Sequence, residues 1–152
     1  MHIRAYLELL QMREQQLAEA LVALAEDHAD APDLAATSRR LARWSGQHAQ
    51  ALQVFVGRYP PGEEPDLAAA VPPLAPARFS GNYGLVHDLQ IVWLLVQDVQ
   101  ARWEVLRQVS WALRDRELFA ACEELGAEAR RQAAWVRARL AEAAVQGIIA
   151  AP

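Results

Sequence analysis

The chain has 152 residues, 53% of them hydrophobic, and a net charge of −4 from 15 basic and 19 acidic side chains. That is enough for one domain with one real core and too little for two. Every basic residue is an arginine, which excludes Schiff-base lysine chemistry and a phosphate-binding P-loop lysine. The arginines are scattered along the chain, so no concentrated basic face points to nucleic acid. A lone cysteine, Cys122, excludes an internal disulfide and a multi-cysteine metal site, and it fits a reducing compartment. The opening residues MHIRAYLELLQMREQ carry charge throughout, unlike a signal peptide. The central apolar run IVWLLV is far short of the roughly 20 residues that span a bilayer. These features lead us to expect a cytoplasmic protein with neither nucleic-acid nor membrane partners.

Ile3, Leu7, Leu10, Glu14, Leu17, Leu21, Leu24 and His28 recur in alternating steps of three and four, the spacing of one buried helical stripe. It predicts a first helix over about residues 3–29. The segment ADAPD ends it: Asp30 is a candidate cap for a second helix, with Pro32 and Asp33 in the first turn. The second helix, about 31–58, repeats the rule with Leu34, Ser38, Leu41, Ser45, His48, Leu52, Phe55 and Tyr59. From about residue 60 to 84 the prolines and glycines of YPPGEEPDLAAAVPPLAPARFSGNYG forbid a long helix, allowing only a turn or two around PDLAAAV.

A third helix is predicted over about 84–114, with Leu85, Leu89, Val92, Val96, Val99, Trp103 and Leu106 on one stripe and Ile91, Leu95, Asp98, Val105 and Val109 beside it. Asp115 is placed to cap a fourth, about 116–146. There Phe119, Cys122, Gly126, Ala129, Ala133, Val136 and Leu140 form one stripe and Leu118, Leu125, Glu128, Gln132 and Trp135 the next. Residues 1–152 therefore read as a single all-α domain of two antiparallel helical hairpins. A helix of about 28 residues is about 42 Å long, whereas an extended 25-residue connection reaches about 80 Å. The connection can thus cross the whole bundle and leave helices two and three parallel.

Polar residues interrupt the apolar seams: Glu14 in helix one, Ser45 and His48 in helix two, Asp98 beside Gln97 in helix three, and Glu128 to Arg131 in helix four. Glu14 precedes Ser45 by 31 residues and Asp98 precedes Glu128 by 30, so the halves match. This layout, over all four helices, resembles the ferritin-like superfamily, whose di-iron members place a Glu on each of two helices and a Glu-x-x-His pair on each of the others. The resemblance implies a ferritin-like four-helix bundle with one long crossover. It places Glu14, His48, Asp98 and Glu128 at metal-ligand positions, Ser45 at a bridging glutamate position and Arg131 at the second histidine, with Gln132 as a replacement oxygen donor.

Each residue also has a plainer role. Ser45 can bond to its own helix, His48 can sit neutral and hydrogen-bonded, and Glu14 and Glu128 can form ion pairs with arginine, Arg131 among them. Asp98 has Arg102 four residues on. His28 suits a helix carboxyl end, and His2 and His87 suit solvent. Met12 with His48 makes no haem motif. Trp93 and Trp111, on the polar side of helix three, are either covered by the long connection or anchor another subunit. The expectation is a bundle with a degenerate metal site, no resident cofactor and no catalytic residues, which serves as an interaction or small-ligand-binding module, forms homo-oligomers and engages an unidentified protein partner. The alternative is a divergent non-haem di-iron oxidoreductase or iron-handling protein.

Overall fold

The computed structural model describes residues 1–62 and 79–150, and the expected turn around PDLAAAV lies outside them. The described residues form four helices: α1 Ile3–Asp27, α2 Pro32–Arg58, α3 Gly81–Leu113 and α4 Arg116–Ile148. None of them is long and apolar enough to cross a membrane. Pro32 opens α2 with Asp33 in its first turn, and the N-cap is Ala31, with no side-chain cap bond. Asp30 therefore does not cap this helix. The proline ring presets φ and has no N–H to satisfy, which lets α2 start without a polar cap. At its other end, Tyr59 turns extended at φ −99° and ψ 136°, as a residue before proline must.

α3 begins three residues earlier than its stripe suggested, at Gly81, whose φ of 68° is a left-handed value that suits glycine. Its carboxyl end is closed by a Schellman turn: Arg114 N–H donates to Trp111 O at 3.1 Å and Asp115 N–H to Ser110 O at 3.1 Å. Arg114 holds a left-handed φ of 58° there. Asp115 then caps α4 as expected, accepting from Leu118 N–H at 3.0 Å. Near the far end of α4, a Cβ on Gly147 would meet Asn82 O at 2.7 Å, so only glycine lets α4 approach the start of α3 this closely.

Side-chain pairs give the helix directions. His28 at the end of α1 meets Asp88 near the start of α3, and Glu14 meets Trp103 further along, so α1 and α3 are antiparallel. Arg58 at the end of α2 meets Asp115 at the start of α4, while Leu41 meets Gln132, so α2 and α4 are antiparallel as well. With each hairpin antiparallel, α2 and α3 run parallel. The hairpins are the closest-packed pairs, α1 lies against α3, and the α2–α4 contact is thin.

The core is the predicted seam. Leu7, Leu10, Leu17, Leu21, Leu52, Leu89, Val99 and Leu106 are at most 1% exposed. Val105, placed beside the α3 stripe from its spacing, is 46% exposed. The buried face of α3 is narrower than the spacing predicts: the helix packs against α1 and α4, and Val105 falls outside that face.

Candidate functional site

Halfway along the bundle the seam carries four polar side chains, one from each helix. On α1, Glu14 is fully buried. Its Oε1 accepts from Trp103 Nε1–H on α3 at 2.7 Å and lies 2.9 Å from His48 Nδ1 on α2. The other ring nitrogen, His48 Nε2, lies 2.7 Å from Glu128 Oε2 on α4. The hydrogen bonds thus run α3 to α1 to α2 to α4 and reach solvent at Glu128, whose side chain is 28% exposed. The His48 and Trp103 rings meet edge-on at 5.9 Å.

Burial alone would lower the His48 pKa, but the hydrogen bonds and charges of Glu14 and Glu128 outweigh it and raise the pKa. This setting, with a glutamate oxygen at each ring nitrogen, favours the protonated ring over the neutral histidine considered from the sequence. The expected partner of the buried acids was arginine; histidine takes that place. The cost of burying this charge is offset by two short, charge-assisted bonds.

Beside this chain, Gln132 Nε2 donates to Ser45 Oγ at 2.9 Å and to Leu41 O at 3.0 Å. Ser45 therefore bonds across to α4. Three buried oxygens have no hydrogen-bond partner among the described residues: Glu14 Oε2, Gln132 Oε1 and Ser38 Oγ.

Two positions implied by the resemblance fall elsewhere. Arg131 is exposed and Gln132 takes the inward position, because a residue four after Glu128 stays on the seam while the one three after it turns outward at this helix rotation. Asp98 is drawn to the rim of the bundle, where Arg102 Nε–H donates to its Oδ2 at 2.8 Å. Arg13 Nε lies 3.0 Å from the same oxygen, but its N–H is not aimed there, so that contact is a charge contact. The local bridge to Arg102 is what the four-residue spacing predicted.

The residues do not fit a two-metal centre in this arrangement. Both His48 nitrogens are directed at glutamate oxygens within hydrogen-bond distance, and Ser45 and Gln132 bond to each other. Among the described residues, no group of three or more His, Cys, Asp or Glu side chains is placed to hold a metal ion.

The spacing of the α3 stripe predicts a core role for Trp103 and nothing more. The signal that it belongs to the polar chain was its indole N–H, a donor that needs a partner when buried. His28 was read as a helix-end residue; it does sit at the α1 end but is tied across to Asp88 Oδ2 at 2.7 Å. His87, expected in solvent, is half-buried and packs with Phe79 and Tyr83. Cys122 is buried, and burial pushes its thiol pKa up to about 12, so it is a packing residue. No family model matches the chain, and comparison with curated proteins and with solved structures gave no match.

Proposed function

We propose that this chain is a ferritin-like bundle whose metal positions have been converted into a hydrogen-bonded polar chain, and that it works as an interaction or small-ligand-binding module. The observation that carries this reading is the double engagement of His48 by Glu14 and Glu128. An imidazole used at both nitrogens joins the two hairpins and is lost to metal ligation. Buried polar contacts of this kind select one packing arrangement over near alternatives. A reducing cytoplasmic setting suits the single buried thiol, and the exposed Leu94 and Val105 along α3 suit a homo-oligomer.

The alternative, a divergent iron-handling protein or oxidoreductase, draws support from the unpartnered Glu14 Oε2 and Gln132 Oε1, which are hard oxygen donors. Anaerobic titration with ferrous iron separates the two. The proposed module retains far less than two irons per chain. The double variant Ser45→Glu with Gln132→His, which returns a carboxylate and an imidazole to buried seam positions, binds more. Tight binding of two irons by the unaltered protein, abolished by Glu14→Ala, would establish the alternative.

A further inference from the structure

The turn between α3 and α4 carries a second feature, far from the polar chain. Trp111 is 71% exposed and packs against Phe119 with ring centroids 5.5 Å apart. The two rings line a cleft of about 450 Å³ together with Ser110, Arg114, Asp115 and Arg116. Asp115 is already engaged by Arg58, Tyr59 and its own helix start. Arg114 and Arg116 are exposed and have no acidic partner among the described residues. The cleft therefore offers an aromatic wall flanked by two uncompensated guanidinium groups. Arg114 also stands at the left-handed turn position where glycine is the usual residue, a conformation unfavourable for any side chain.

We infer that this cleft docks an acidic segment of a partner protein, with one aromatic side chain of that segment against Trp111 and Phe119 and its carboxylates on Arg114 and Arg116. Charge complementarity selects this occupant. A nucleic acid would need more cations than two arginines provide, and Glu117 lies beside them, paired with Arg58. A symmetric contact between two copies would set the arginines of one cleft against those of the other. Aromatic anchors ringed by arginine are the groups that dominate protein interfaces, and the pairing with carboxylates is charge-assisted. The inference rests on the interaction-module reading, yet its test is independent of iron: failure of peptide binding leaves the iron titration unchanged.

The probe is a capped peptide of one phenylalanine with two glutamates on each side, titrated into the full chain and followed by the indole N–H resonances in a nitrogen–proton correlation spectrum. The expected result is a saturable shift of the Trp111 resonance, identified by its absence in Trp111→Phe. Arg114→Gly, which places glycine where the turn favours it and so keeps the fold, weakens binding about tenfold, as does Arg116→Ala. High salt weakens it further. The inference is overturned by no saturable shift, by equal binding of a peptide with glutamine for glutamate or serine for phenylalanine, or by unchanged affinity in Arg114→Gly. A Trp111 shift that grows with protein concentration in the absence of peptide would assign the cleft to a second copy and overturn it too.

Discussion

At the scale of single residues, the position of His48 between Glu14 and Glu128 makes a definite prediction about pH. Because the folded pKa is raised above the ordinary value of 6.5, the folded protein holds the proton more tightly than the unfolded chain. The stability contributed by the His48 charge is therefore complete below about pH 6.5 and is lost as pH rises through the higher folded value. Glu128→Gln keeps an acceptor for Nε2 but removes its negative charge. Urea denaturation between about pH 6 and pH 9 should show stability falling with pH in the parent, with a shallower fall in Glu128→Gln. An identical slope in both proteins would mean that Glu128 does not set the charge of His48. The tilt of one side chain was beyond the sequence: a seam histidine opposite a seam glutamate was legible, but the choice of which ring nitrogen meets which acid depends on rotamers set by four helices together.

At the scale of elements, the α2–α4 contact is thin and is bridged by side chains at two levels, at its middle by His48 with Glu128 and Gln132 with Ser45, and at its end by Asp115, which joins the α4 cap to Arg58 and Tyr59. Removing it by Asp115→Ala should cost about 1–2 kcal/mol, most of it from the lost cap, since the partly exposed Arg58 pair is worth little. Burial, with the Asp115 hydrogen bond second, raises the Tyr59 phenol pKa to about 12, so the same variant should bring that value down, as read by absorbance titration. Leu17→Ala, in the seam at 0% exposure, should cost more, about 2–5 kcal/mol. Denaturant titrations of both variants test the order. An Asp115→Ala loss as large as that of Leu17→Ala would mean that the cap holds the hairpins together more strongly than the apolar seam does. Helix spans followed from three-and-four spacing, and the Asp115 cap was legible because a helix start needs an acceptor. The start of α3 was misplaced because Gly81 and Gly84 carry no hydropathy signal, while the structure winds the helix back through them.

At the scale of the whole molecule, parallel α2 and α3 place the end of α2 and the start of α3 at opposite ends of the bundle. With Arg58 level with Asp115, Gly57 and Asn82 should be separated by roughly 45 Å, the rise of the intervening α3 turns. Spin labels at Gly57→Cys and Asn82→Cys, with Cys122→Ala as background, measure that distance by dipolar spectroscopy. Neither site is crowded: a Cβ at Gly57 meets nothing within 4 Å and Asn82 is exposed. A separation near 15 Å, about the width of neighbouring helices, would indicate a simple up-down bundle.

Hydrophobic spacing, caps and prolines are local signals that survive in any packing, so four helices, their hairpin pairing and the identity of the seam are legible in the order of residues alone. It also located Glu14, Ser45, His48, Glu128 and Gln132 as seam polar residues. The packing of the four helices sets the rest: Arg131 is exposed, Asp98 binds arginine at the rim and Trp103 joins the polar chain. Each of those outcomes depends on the rotation of one helix against another, and a rotation of a few tens of degrees leaves the spacing pattern unchanged while exchanging which neighbour faces inward.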